Sequence, residues 1–282
     1  MAPLVVKLGG AAMESAGEGS AVWSALAALA AQERGGLVLV HGGGAEVDRR
    51  LGRLGVVSEK RAGVRITPEE QIDEVVAALA GVMSRRVTGA LLARGVRAVG
   101  LSLADGGLAV AAKAAHYGFD AGRVGVVNSG DGAVLHALLR AGFTPVINPI
   151  AADAEGRALN VNADDAAAAV AGIIGARALV LLTDVPGVLD ESGAVIASLT
   201  AEDVEARIAG GAISGGMVVK ARGAVRAAED AGAPAAIAPA DDIEGLLRFA
   251  RGGRFGTLVM PPEPGVEPAV SLRRRRLSGE PV

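Results

Sequence analysis

Val5-Val6-Lys7-Leu8-Gly9-Gly10 is the stretch on which the fold turns. Two adjacent β-branched apolar residues favour a pleated, buried segment, so Leu4–Leu8 is predicted to be a strand. Gly9 and Gly10 let the backbone turn sharply and leave peptide N–H groups open to an anion, with no Cβ in the way. Lys7 places one cation beside that pocket. A phosphoryl group is therefore expected here, with later glycine-rich turns converging on the same point.

Composition limits what can surround this strand. The chain has 282 residues, enough for one large α/β domain or two smaller ones. Hydrophobic residues make up 51% and aromatic residues 2%, so the core must be built from Ala, Val, Leu and Ile. That suits a parallel sheet covered by alanine-rich helices. A net charge of −3 gives no electrostatic case for a nucleic-acid partner. The absence of cysteine excludes disulfides, thiolate metal sites and cysteine nucleophiles. No basic segment followed by an apolar stretch of signal type is present, and the longest apolar run, Ala166–Ala176, is too short to span a bilayer. A cytoplasmic protein with no membrane partner is expected.

Outward from the first strand, β and α patterns alternate. A helix over Ser20–Arg34 ends at Gly35-Gly36, and an apolar run Leu37–Val40 meets His41-Gly42-Gly43-Gly44 ahead of a second helix. Strand, glycine turn and helix together form the unit in which a helix N-terminus offers free N–H groups to an anion. Ser58–Thr67 is predicted as a loop or hairpin, and Pro68–Arg94 as a long helix with Glu69 and Glu70 at its positive end. Val99–Leu103 and Thr144–Ile150 are predicted strands, Asp105–Ser129 a set of hairpins, and Asp131–Arg140 a helix. Asn160-Val161-Asn162-Ala163-Asp164-Asp165 opens an alanine-rich helix, followed by a strand over Ala178–Thr183. Thr200-Ala201-Glu202-Asp203 carries N-terminal capping chemistry. Ser214-Gly215-Gly216-Met217-Val218-Val219-Lys220 leads into a further helix, and Ala235–Ile237, Asp241–Arg251 and Gly256–Met260 complete the pattern as strand, helix and strand. The alternation argues for an open, mostly parallel sheet with helices on both faces. From Glu263 the composition changes: the tail Glu263–Val282, with its run Arg273–Arg276, has little to bury and is expected to be disordered.

Four glycine-rich turns follow apolar runs or open helices: at Gly9-Gly10, at Gly42–Gly44, after Asp184 and at Gly215-Gly216. Any one of them alone would be an ordinary turn. Lys7 and Lys220 both lie near a glycine pair, which is what an anion cradle needs. Neither a P-loop nor a dinucleotide fingerprint is present. Asn160, Asn162 and Asp164 fall at i, i+2 and i+4, more polar groups than a helix cap requires. His41 invites a role as general base, but a histidine closing a buried strand more often bonds locally. With three histidines and no cluster at ligand spacing, zinc is not expected.

Taken together, these motifs resemble the amino acid kinase family. The resemblance rests on Lys7-Leu8-Gly9-Gly10, His41-Gly42-Gly43-Gly44, Gly63-Val64-Arg65-Ile66-Thr67, Asn160-Val161-Asn162-Ala163-Asp164, Leu182-Thr183-Asp184-Val185-Pro186-Gly187-Val188 and Ser214–Lys220, six motifs in order from Pro3 to about Met260. It implies a three-layer α/β/α sandwich with a mainly parallel, eight-stranded open sheet. Residues 1–262 would form the kinase domain, with an acyl-amino-acid-binding part over about 1–177 and an ATP-binding part over about 178–262. The implied reaction moves the γ-phosphoryl of ATP to the side-chain carboxylate of N-acetyl-L-glutamate, the second step of arginine biosynthesis.

The resemblance also implies roles. Lys7 and Lys220 would stabilise the transferring phosphoryl from two sides, with the N–H groups of Gly10 and Gly43 completing the cradle and Asp164 holding both lysines. Gly43, Gly44, Arg65, Asn160 and Asn162 would bind N-acetylglutamate, Arg65 by a two-pronged pairing with a carboxylate. Gly9, Asp184, Val185, Pro186, Gly187, Val188, Leu189, Ala212, Ile213, Ser214 and Lys220 would line the nucleotide site. Mg2+ would be held mainly by ATP phosphates, with no protein ligand. The rival readings are a same-fold kinase for carrier-linked aminoadipate or glutamate, and a non-catalytic nucleotide sensor. Arginine-inhibited members of the family carry an extra helix before the first strand, for which Leu4 leaves no room. A homodimer insensitive to arginine is therefore expected, with the Pro68–Arg94 helix as candidate interface.

Overall fold

The computed structural model describes residues 1–10, 13, 21–61 and 63–262. The tail expected to be disordered, Glu263–Val282, lies outside the described residues, as does Ser20. In chain order the elements are β1 (Leu4–Leu8), α1 (Ala21–Gln32), β2 (Leu37–His41), α2 (Gly44–Arg53), β3 (Lys60–Arg61), β4 (Val64–Arg65), α3 (Glu69–Leu92), β5 (Ala98–Ser102), β6 (Val110–Lys113), β7 (Val124–Ser129), α4 (Ala133–Arg140), β8 (Thr144–Asn148), β9 (Ile150–Ala152), β10 (Ala158–Val161), α5 (Ala163–Ile174), β11 (Ala178–Thr183), β12 (Ser198–Leu199), α6 (Ala201–Ala209), α7 (Gly216–Ala231), β13 (Ala235–Pro239), α8 (Ile243–Ala250) and β14 (Thr257–Val259).

The main sheet has eight strands in the order β12-β14-β13-β11-β1-β2-β8-β5. Every neighbouring pair is parallel except β13 with β14. β1 lies at the centre, with Lys7 opposite Leu181 on one side and Val40 on the other. The chain builds outward from β1 through β2, then returns through β11 to fill the other side. Such a switch point opens a crevice at the carboxyl ends of the strands, where ligands bind in open α/β sheets.

The period-2 alternation of β1 and β2 divides their side chains between two cores. Leu4, Val6, Leu8, Leu37 and Leu39 pack with Trp23, Leu26 and Leu29 of α1, Val87 and Leu91 of α3, and Phe249 of α8. Val5, Val38 and Val40 face the opposite core, with Ala166–Ala171 of α5 and Ala221, Ala224, Ala227 and Ala228 of α7. The result is the expected α/β/α layering. Lys7 shares the parity of Val5 and is thereby directed toward α5.

A second sheet, in the order β6-β7-β10-β9, and the β3–β4 hairpin stand at the carboxyl end of the main sheet's first half. Here the structure departs from the sequence expectation in three places. The strand predicted over Thr144–Ile150 is divided at Pro149: β8 belongs to the main sheet and β9 pairs antiparallel with β10. Asn160 and Val161 end a strand rather than open a helix, and α5 begins after Asn162. The long helix α3 contains a π-helical segment, Ala77–Met83. α3 is long and apolar enough to cross a bilayer by length and composition, yet 44% of its apolar window is buried in the fold.

The α5–α7 contact contains a titratable strain. Asp230, in the last turn of α7, is pushed up to about 6 by burial and then by the negative charges of Asp165 and Glu229, against the opposing effect of Arg226. A folded value above the usual carboxylate range means that the folded state holds the proton more tightly. This group therefore costs stability as pH rises from about 4 to about 6, and the cost remains above that. Asp230→Asn is expected to raise the melting temperature above the parent's at pH 7–8, with the gap closing below pH 4. Thermal melts across that range check this, and equal melting curves at pH 8 would contradict it.

Candidate active site

β1 delivers Lys7 to the crevice, and α5 delivers its partner. The Lys7 Nζ lies 2.8 Å from Asp164 Oδ1, with the lysine side chain 14% exposed. Asp164 stands in the first turn of α5, where Asn162 caps the helix: its Oδ1 accepts from the backbone N–H of Asp164 at 2.8 Å and of Asp165 at 3.4 Å. The carboxylate thus sits at the positive end of the helix as well as against a cation. Gly9 is demanded by close approach, since a Cβ there would lie 2.7 Å from the Leu182 carbonyl oxygen.

Lys220, near the start of α7, pairs with Asp184, which directly follows β11. The hydrogen bond from Lys220, followed by that from Thr183, holds the Asp184 carboxyl at about 2. Among the described residues Asp164 pairs with Lys7 and not with Lys220; the expectation that it holds both lysines is corrected. Lys220 stands in the second turn of α7, within reach of Asp184 at the end of β11. Lys7, Gly9, Gly10, Asp164, Thr183, Asp184 and Lys220 line a cavity of about 300 Å³.

A second cleft, of about 200 Å³, adjoins the glycine turn after β2. It is lined by Gly42, Gly43, Gly44, Lys60, Arg65, Leu79, Val124, Asn160, Asn162 and Ala163, among others. Gly43 has φ 153°, and a Cβ would lie 2.7 Å from Met83 Cγ and 2.9 Å from Leu79 Cδ2. Both residues belong to the π-helical segment of α3, which packs directly on the turn. Arg65 is 9% exposed in its side chain. Its Nη1 donates to Asp48 and Ser58 and its Nη2 to the Gly44 carbonyl at 2.9 Å, so part of its fork is already in use. Lys60 Nζ donates to the other Asp48 oxygen at 3.0 Å. Burial alone would raise the Asp48 carboxyl; the bonds from Arg65, Lys60 and Ser58, with the Arg65 charge, outweigh it and hold the group at about 2. The Asn160 amide donates to Thr67 Oγ1 at 3.0 Å.

His41 is fully buried, and its Nδ1 lies 2.8 Å from the Gly42 carbonyl. A carbonyl only accepts, so Nδ1 carries the proton. Burial lowers the imidazole's pKa. The ring is a neutral brace for the glycine turn.

Of the residues expected to bind nucleotide, Gly9, Asp184 and Lys220 line the larger cavity. Val188 and Ile213 are buried in the core, and the Val188 N–H bonds Thr257 Oγ1 at 2.8 Å. Val185, Pro186, Gly187 and Leu189 continue the loop after β11, and Ala212 and Ser214 lie exposed between α6 and α7; none of these six lines the cavity. Sequence reasoning missed Lys60, Asp48 and Leu79. Lys60 had a signal, because it precedes Arg65 within one predicted hairpin. Asp48 and Leu79 had none, since each is one of several residues of its type on a helix. Among the described residues no group of three or more His, Asp and Glu side chains is placed to hold a metal ion.

Comparison with known proteins gives the family. The model of the amino acid kinase family matches residues 2–239. The chain is 42% identical over 261 residues to the acetylglutamate kinase of Vibrio cholerae serotype O1, covering 93% of this chain and 98% of that protein. It is 41% identical over 259 residues to the acetylglutamate kinase of Vibrio vulnificus strain CMCP6, covering 92% and 97%. Among solved structures, smu.665 from Streptococcus mutans UA159 superposes with a TM-score of 0.74 at 26% identity, covering 92% of this chain and 98% of that one. Carbamate kinase from Giardia lamblia shares the fold, with a TM-score of 0.63 at 15% identity over 93% of this chain and 99% of that one. The chain belongs to the amino acid kinase family, and within it to the acetylglutamate kinases.

Proposed function

We propose that this enzyme transfers the γ-phosphoryl of ATP to the side-chain carboxylate of N-acetyl-L-glutamate, giving an acyl phosphate in the second step of arginine biosynthesis. One observation carries the assignment of roles. The start of α5 borders both clefts: Asn162 and Ala163 line the smaller one and Asp164 the larger. The Lys7–Asp164 pair therefore stands where the two meet. On this reading the smaller cleft takes N-acetylglutamate and the larger takes the phosphates of ATP.

The chemistry follows from charge. A carboxylate must approach a phosphoryl group that is itself anionic, so repulsion is the main obstacle, and positioning with electrostatic stabilisation supplies the catalysis. Lys7 and Lys220 stabilise the charge in flight, each aimed by its own carboxylate, Asp164 and Asp184 respectively. Peptide N–H groups of Gly10 and Gly43 add donors. No general base is required, because a carboxylate nucleophile has no proton to lose. Gly44, Arg65, Asn160 and Asn162 hold the acyl amino acid, with Lys60 as a further cation beside Arg65. Asp164 and Asp184 are both engaged by lysines, so Mg2+ enters with the ATP phosphates. The enzyme works in the cytoplasm as a homodimer, joined through the outer face of α3.

Lys7→Ala and Lys220→Ala are each expected to lower kcat by about 10²–10³, the scale of one preorganised charge stabiliser. Near-normal turnover in both would remove these lysines from the mechanism. Hydroxylamine trapping tests the substrate. Acyl hydroxamate formed from free N-acetylglutamate and ATP is the expected result. A hydroxamate formed only from a carrier-linked aminoadipate or glutamate, or none from any substrate, would overturn the reading in favour of the related kinase or of a nucleotide sensor. Sedimentation velocity should give a dimer, and a monomer at micromolar concentration would contradict the proposed assembly.

A further inference from the structure

Arg123 stands one residue before β7 with a side chain that is 0% exposed. It lines neither cleft. Its Nε and Nη2 donate to the Ala158 carbonyl at 3.0 and 2.7 Å, and Nη2 also donates to Asp153 Oδ2 at 3.0 Å. Glu69 Oε2 lies 3.7 Å from Nε. Among the described residues Nη1 is buried with no hydrogen-bond partner. The main chain of the same residue is used on both sides: its N–H donates to the Thr67 carbonyl at 2.6 Å, and its carbonyl accepts from the Asn160 N–H at 2.8 Å.

A buried, incompletely satisfied guanidinium is a poor way to gain stability, because the desolvation of the charge offsets most of what its partners return. Apolar side chains of similar size often serve the core as well. What an arginine supplies is a rigid fork with fixed directions. Here its partners lie on segments that run to the smaller cleft: Asp153 is four residues after Pro149 and Glu69 four residues after Arg65, both of which line it. Ala158 is two residues before Asn160, Glu69 is two residues after Thr67, and Val124, which lines the cleft, follows Arg123 itself. Thr67 Oγ1 in turn receives the Asn160 amide, and Thr67 is two residues from Arg65. Asp153 is itself held in place: its Oδ1 accepts the backbone N–H groups of Glu155 at 3.2 Å and Arg157 at 2.8 Å.

We propose that Arg123, anchored by Asp153 and the Ala158 carbonyl, is a positioning residue for the acyl amino acid: it sets the spacing between the Thr67–Asn160 side of the smaller cleft and Arg65. This rests on the reading of that cleft as the N-acetylglutamate site. Arg123 touches no reacting atom, so its loss acts on substrate affinity and leaves the phosphoryl-transfer machinery around Lys7 and Lys220 in place.

The test is steady-state kinetics of the full-length enzyme with N-acetylglutamate and MgATP, for Arg123→Met, Arg123→Lys and the double variant Arg123→Met/Asp153→Leu. The parent is assayed first. With an active parent, Arg123→Met is expected to raise KM for N-acetylglutamate roughly tenfold, with kcat and KM for ATP within about twofold. Arg123→Lys, which keeps the charge without the fork, recovers only part of the loss. The double variant removes Asp153 along with the cation it holds, and KM for N-acetylglutamate remains high while KM for ATP stays within about twofold, even where the urea midpoint falls because the Glu155 and Arg157 N–H groups lose their acceptor. Unchanged KM for N-acetylglutamate in the double variant, or an equal rise in both KM values that tracks a falling urea midpoint, would overturn the positioning role and leave the function intact. A parent that forms no product from N-acetylglutamate would overturn the functional reading and this inference with it.

Discussion

The pairing of Lys7 with Asp164 is the contact on which the arrangement depends. A lysine near the end of a central strand, flanked by strands on both sides, has little access to water, and burying its charge is costly without a carboxylate beside it. Asp164 meets that need from the first turn of α5, where the helix's positive end favours a carboxylate as well. The pair ties the middle of the sheet to the start of one helix. That helix start also borders both clefts, so one ion pair orients a cation at the point where, on the proposed assignment, the two substrates meet.

The low aromatic content acquires a structural meaning in this context. α5 is sandwiched between the sheet and α7, and alanine supplies most of its buried surface. Small side chains let α7 lie close, and Gly172 of α5 allows the nearest approach, with a Cβ there falling 2.6 Å from the Asp230 carbonyl oxygen. Close packing of α7 brings Lys220 to Asp184 at the end of β11. Each lysine thus has a dedicated acid, on a different element. On the opposite side, the wider turns of α3 press Leu79 and Met83 against Gly43, so the glycine turn is shaped from below by a helix and braced at its base by His41.

Much of this was legible in the chain. The strand–glycine–helix units predicted where anions could bind, and the β/α alternation predicted the parallel sheet. Lys7, Asp164, Gly42–Gly44, Arg65 and Asn160 were all marked by glycine pairs, by helix-start spacing or by family resemblance, and the fold brings them to the rims of two adjoining clefts. What escaped depends on contacts between distant segments. Nothing local says that Pro149 passes the chain from one sheet to another, because a strand interrupted by proline and a longer strand edge look alike in sequence. The division of the lysines between Asp164 and Asp184 depends on how α7 packs on the sheet, which no spacing encodes. Arg123 and Asp48 look like ordinary surface charges until the fold buries one and sets the other between two cations. The loops Val185–Leu189 and Ala212–Ser214 show the reverse case, where a motif marks a region but the inward side chains, Val188 and Ile213, serve the core.

The central claim is that Asp164 acts on catalysis through Lys7. A double-mutant cycle on kcat measures this most directly, with Lys7→Ala, Asp164→Ala and the two combined. If the aspartate works by aiming the lysine, the double variant loses no more than Lys7→Ala alone. Losses that multiply, as they do for independent groups, would show that Asp164 has a separate role and would contradict the account.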